Sequence, residues 1–117
     1  MLNGAHDPPL HTIEVELRPA AAPTFAAAVR LAGEHDLATR RDIQDAIEPI
    51  EGDVLVDLTE CEFIDSSVIV MLLATHYARR REGRRLELLL PSENSKVTRT
   101  LEVSGAKQLL TVHVARP

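Results

Sequence analysis

The sequence predicts a single α/β domain, a sheet with helices packed against it, and three features carry that expectation. Residues 53–58 (DVLVDL) hold Val54, Leu55, Val56 and Leu58 with little polar interruption, as in a strand covered on both faces. Residues 68–74 (VIVMLLA) stay apolar for longer than one further strand needs and pass into helix-forming residues. Along the rest of the chain, short strand-like runs alternate with longer helix-like ones, and Gly or Pro marks the junctions. A chain of 117 residues is long enough for one core and too short for two.

In order, residues 1–11 (MLNGAHDPPLH) have no periodicity and contain Pro8-Pro9, so they read as a flexible leader to a domain spanning 12–114. Residues 12–17 alternate Ile13, Val15 and Leu17 with Glu14 and Glu16, the period of a strand with one wet face, and the acids suit a sheet edge. Residues 18–23 (RPAAAP) make a turn. Residues 24–32, with Phe25, Val29 and Leu31, then extend back along the first strand as a hairpin. Residues 33–36 form a loop. A helix follows with Leu37, Ile43 and Ile47 near one face, capped by Asp36 or Thr39 and stopped by Pro49 and Gly52.

The central strand at 53–58 leads through a link at 59–63 (TECEF) into the second helix, where Asp65 is a good N-cap because its carboxylate accepts from otherwise unpaired amides. Gly83 ends that helix. Arg79, Arg80 and Arg81 lie in its last turn, where positive charge suits the helix dipole and needs no ligand. Residues 85–90 form the next strand, stopped by Pro91. Residues 92–95 cap a third helix with Val97, Leu101 and Ser104 along one side, closed by Gly105, and residues 109–114 fit a final strand.

Composition removes several functions. With a formal net charge of -5, Phe25, Phe63 and Tyr77 as the aromatics and no Trp, the chain offers neither a basic surface nor a stacking platform for nucleic acid. Cys61 stands alone, which excludes an internal disulfide and a multi-cysteine zinc site and fits a reducing compartment. No apolar run approaches the roughly 20 residues of a membrane span. A cytoplasmic protein is expected.

Strand-helix-strand units make their strands parallel, so successive loops emerge at one end of the sheet. This gathers residues 33–36, 59–67 and 91–95 on a single rim, with the acids Glu34, Asp36, Glu60, Glu62, Asp65 and Glu93, the hydroxyls Ser66, Ser67, Ser92 and Ser95, and His35 as its one group titrating near neutral pH. Three chemistries compete there. A triad of His35, Asp36 and Ser66 has the right residue types, but the first two are adjacent in sequence and no nucleophile elbow is present. Metal binding lacks ligand spacing among the histidines. Phosphorylation of Ser66 or Ser67 would place a phosphate in a first helical turn, where free amides and the dipole favour it. Residue types alone slightly favour a plainer reading, in which both serines only start a helix.

Residues 31–37 (LAGEHDL) resemble the strand-ending Gly-Glu-x-Asp loop of STAS domains, and residues 56–58 (VDL) with 63–67 (FIDSS) resemble their Asp-Ser-Ser/Thr-Gly phosphorylation turn. With the closing Val103-Ser104-Gly105, their order and separation are similar to those of bacterial anti-sigma factor antagonists over residues 12–114. The resemblance implies a STAS-like single domain, a four- or five-stranded mixed sheet with helices packed against it. It also implies a partner switch rather than catalysis, with no cofactor. In that switch the unphosphorylated antagonist binds an anti-sigma factor serine kinase and frees a sigma factor. Phosphorylation by the kinase ends binding, and a PP2C-type phosphatase restores it. By motif position Ser66 is the phosphoacceptor and Ser67 a secondary one, while Gly33, Glu34, Asp36, Asp65, Ser66 and Ser67 make the docking surface. Val68 stands where the family has glycine, and its branched side chain is expected in the path of the partner's backbone. The alternative is a STAS subunit that docks without phosphorylation in another assembly, such as a lipid-transport accessory or a stress-signalling complex.

Overall fold

The two-residue alternation of the first segment and the apolar runs after it settle into strands, and the longer amphipathic stretches into helices. The computed structural model describes residues 11–115. Its elements are β1 (His11–Leu17), β2 (Ala27–His35), α1 (Leu37–Ile47), β3 (Val54–Ile64), α2 (Ser66–Arg81), β4 (Leu86–Leu90), α3 (Lys96–Val103), α4 (Ala106–Leu109) and β5 (Thr111–Val114). The strands lie in the order β1-β2-β3-β4-β5. β1 is antiparallel to β2, and all the other neighbours are parallel. The expected mixed sheet is therefore present with five strands. His11, expected in the flexible leader, belongs to β1, and residues 1–10 of that expectation lie outside the described residues.

Register places the core. Ala27, Val54 and Leu86 line up across three strands, as do Val29, Val56 and Leu88. These residues are buried with Ile43 and Ile47 of α1, Leu72 of α2, and Val97 and Leu101 of α3. Each such large aliphatic side chain removed from water contributes about 1.5 to 3 kcal/mol. Among the described residues no helix is long and apolar enough to cross a membrane.

Three expectations are corrected here. First, residues 33–35 and 59–63 are strand, not loop and link: β2 runs to His35 and β3 to Ile64, with those two residues paired. Register shifts at Arg30/Ala32 and Gly33/Glu34 bend the ladder without ending it. Gly33, at φ 80°, takes a backbone conformation that a side chain would resist. Conversely, β2 starts at Ala27 and not at 24, because the chain is still turning there: the Ala22 amide donates to the Pro19 carbonyl and the Phe25 amide to that of Ala22, each at 3.1 Å.

Second, Leu37 is not on the buried face of α1; it is 63% exposed, whereas Thr39, Ile43 and Ile47 are buried at four-residue spacing. At about 100° per residue, a position six before Ile43 is turned away from it. Third, Arg79 does not serve the dipole of α2. It is buried, and its guanidinium donates to the carbonyl oxygens of Ile47, Ile50 and Gly52, anchoring the segment between α1 and β3. Beyond Gly105, one helical turn (α4) precedes β5, which therefore starts at Thr111.

Candidate functional site

Because β2 and β3 are parallel and end side by side, the two residues that follow them, Asp36 and Asp65, emerge together as the N-caps of α1 and α2. Each carboxylate does the work its residue type predicts. Asp36 Oδ1 accepts from the Ala38 amide at 2.9 Å, and Thr39 Oγ1 accepts from the Asp36 amide at 3.1 Å, a reciprocal box. Asp65 Oδ1 accepts from the Val68 amide at 3.1 Å and from the Ser67 hydroxyl at 2.6 Å.

Asp65 also crosses between helices. Its Oδ2 accepts from the Leu37 amide at 3.2 Å, and its own amide donates to the His35 carbonyl at 3.2 Å. One carboxylate thus fixes the start of α2 against the start of α1, immediately beside Asp36. Burial pushes its pKa up, but the hydrogen bonds from Ser67, Val68 and Leu37 outweigh that and hold it below the ordinary carboxylate value.

The two serines separate on this geometry. Ser67 is half-buried and its hydroxyl is committed to Asp65. Ser66, the first residue of α2, is exposed, and its hydroxyl makes no hydrogen bond among the described residues. The neighbouring Val68 is fully buried in the core. Its side chain therefore points away from an approaching partner, contrary to the expectation placed on it, and serves packing instead.

Of the rest of the expected rim, Glu34, Glu60, Glu62, Glu93 and Ser92 are exposed, and Gly33 is half-buried at its bulge. Ser95 is the N-cap of α3, accepting from the Thr98 amide at 3.1 Å. His35 is not a rim group at all. It has no exposed surface; its Nε2 lies 3.0 Å from the Ala32 carbonyl and its Nδ1 3.2 Å from Thr39 Oγ1. Burial, with the nearby His11 ring, lowers its pKa. Both ring nitrogens are occupied and Asp36 is spent on capping, so no triad with Ser66 is assembled. Cys61 is buried, its thiol donates to the Phe63 carbonyl at 3.5 Å, and burial raises it to about 11, far from a nucleophile. Among the described residues, no group of three or more His, Cys, Asp or Glu is placed to hold a metal ion.

One feature of the site was hidden in the sequence. Beside Ser66, a mainly apolar groove of about 340 Å³ opens between α2 and α3, lined by Ile69, Arg99, Thr100, Val103 and Ser104, with Val103 89% exposed. Thirty residues separate its two walls in the chain, so no local pattern announces it. An isolated Val at the end of a short helix was the only signal.

Comparison with known proteins places this architecture. A family model described as Mlab, STAS domain matches residues 20–111. An anti-sigma factor antagonist from Mycobacterium paratuberculosis superimposes with a TM-score of 0.66 at 18% identity, over 88% of this chain and 85% of that one. The STAS domain of an antisigma-factor antagonist from Rhodobacter sphaeroides does so with a TM-score of 0.55 at 19% identity, over 76% and 95%. At these identities the two structures speak to the fold. No curated protein matches the sequence.

Proposed function

This chain belongs to the family of STAS domains, and from that premise we propose that it is a binding module of the anti-sigma factor antagonist type, switched by phosphorylation of Ser66. One observation carries the reading: an unengaged hydroxyl stands in water at the start of α2, beside a carboxylate that is itself locked to the start of α1. A kinase transferring the terminal phosphoryl group of ATP to Ser66 Oγ would release ADP and the hydroxyl proton. The new group carries about -1.5 to -2 charge at neutral pH. It would sit at the positive end of α2, which favours it and spares the fold.

The same charge falls beside Asp65 and the neighbouring Asp36, next to the groove floored by Ile69 and lined by Arg99. A partner that docks there against a neutral serine must then desolvate a phosphate facing carboxylates, a cost large enough to end binding. The partner is an anti-sigma factor with serine kinase activity, and a phosphatase of the PP2C type would reset the switch in the cytoplasm. Ser67, whose hydroxyl is bound to Asp65, is the lesser acceptor.

A second reading, a STAS subunit that docks constitutively in another assembly, is favoured by the family model that matches, which is described as Mlab. Incubation with a cognate kinase and ATP followed by intact-mass measurement separates the two. One added phosphate on the wild type and none on Ser66→Ala is expected. An unmodified wild type removes the switch and leaves the constitutive subunit.

A further inference from the structure

The end of α2 away from Ser66 runs into an arginine-rich segment, although the whole protein is acidic. The 16 residues of α2 span roughly 24 Å between the two ends. Residues 79–85 (RRREGRR) carry five arginines, and the fold divides them. Arg79 is buried on backbone carbonyls. Arg85 is engaged by Asp53 at 2.9 Å and Glu87 at 3.1 Å, and lies 4.9 Å over the ring of Phe25. Arg80 is exposed and makes no ion pair among the described residues. Arg84 has one contact, 3.7 Å from an exposed Glu82 carboxylate, of a kind worth little in water.

Arg80 and Arg84 line the same pocket of about 340 Å³, whose lining also includes His76, Leu86 and Leu109. That volume is at the small end of ligand sites. Leu109 is 53% exposed, so the apolar wall is open to contact. The acid on the lining, Glu87, is already held by Arg85 and, at 2.7 Å, by His113. His76 makes no hydrogen bond among the described residues, and its Nδ1 is buried without a partner, so nothing internal fixes its tautomer. The Arg79 and Arg80 oxygens accept from the amides of Glu82, Gly83 and Arg84 at 2.9 to 3.0 Å, and Gly83, at φ 74°, makes the turn that returns Arg84 to the pocket.

Two guanidinium side chains without strong internal partners, on the lining of one concave site with an apolar wall, suit the bidentate recognition of phosphate. We propose that this pocket binds a phosphate monoester whose remaining part is apolar or carries a ring. Arg80 and Arg84 hold the phosphate, and Leu109 covers the rest. A soluble nucleotide and the headgroup end of an anionic lipid both present that chemistry.

The test is an NMR titration of the isotope-labelled protein, to millimolar ligand, with inorganic phosphate, adenosine monophosphate and a short-chain phosphatidic acid. At least one ester shifts the amides of His76, Arg80, Arg84 and Leu109 and binds more tightly than inorganic phosphate. A response to the nucleotide alone identifies a soluble ligand, and a response to the lipid alone a headgroup. The Arg80→Gln/Arg84→Gln double variant, folded by its unfolding curve, weakens the tighter ester by about tenfold or more. Arg41→Gln, an exposed arginine on α1, leaves it unchanged. The proposal is overturned if no ester shifts these amides, if inorganic phosphate binds as tightly as either ester, or if Arg41→Gln weakens binding as much as the double variant.

Discussion

At one end of α2, Asp65 binds the amides of Val68 and Leu37 and the hydroxyl of Ser67, while Ser66 beside it faces water. At the other end, Arg79 is buried on the carbonyls of Ile47, Ile50 and Gly52, while Arg80 beside it is exposed. Both ends use one charged residue to tie α2 to α1 or to the segment behind it, and leave the next residue, turned by about 100°, free for solvent. The ends differ in desolvation. Asp65 is half-buried and keeps access to water, whereas Arg79 is almost wholly enclosed and its guanidinium donates to backbone oxygens. Equal-looking charged clusters in the chain therefore carry different weights: the buried arginine ties down the segment between α1 and β3, and the half-buried aspartate joins the starts of two helices.

The largest effect expected from that contrast is at Arg79. Arg79→Ala removes the donors to three buried carbonyls and should destabilise the protein by about 3 kcal/mol, read by denaturant unfolding. A loss no greater than at Arg80→Ala would erase the distinction between the two ends. Next comes Asp65→Ala, which gives up an N-cap and the link to Leu37 and should cost about 1 to 2 kcal/mol at neutral pH. Because hydrogen bonds hold this carboxyl below its ordinary value of 3.8, the stability it contributes is complete above that pH and is lost as pH falls through the folded value. The gap between wild type and Asp65→Ala should accordingly close in acid. A gap that stays constant to low pH would mean that the carboxylate's charge is immaterial.

A smaller effect lies close to the rim at His35. Burial lowers its pKa below the ordinary 6.5, so the unfolded chain takes up a proton before the folded one does. Stability is full above about pH 6.5, falls as pH drops toward the folded value, and levels off below it. His35→Gln should flatten that stretch of the stability profile, whatever it costs at neutral pH. An unchanged slope would assign the dependence to another group.

The parts of this arrangement written locally could be read from the chain. Asp36, Asp65 and Ser95 are caps because of their residue types and the helices that follow them, and the apolar runs at 54–58 and 86–90 identify central strands before any pairing is known. What depended on tertiary register was not legible. The strand character of residues 59–64 exists because β2 continues past the bulge at Gly33 and offers a ladder. Arg79 differs from Arg80 only through the phase of α2 relative to a loop some thirty residues earlier. His35 was misread as a rim group because sequence shows its neighbours Glu34 and Asp36 but not the Thr39 and Ala32 oxygens that enclose it. Val68 was placed in a partner's path by motif position, and one helical step puts it in the core instead.

The most direct test installs phosphoserine at position 66 and measures, on the same preparation, affinity for the anti-sigma factor kinase and the free energy of unfolding. Affinity should fall by at least about tenfold, while stability stays within about 1 kcal/mol of the unmodified protein. Retained affinity, or a stability loss of several kcal/mol, would show that Ser66 is a structural residue and not a switch.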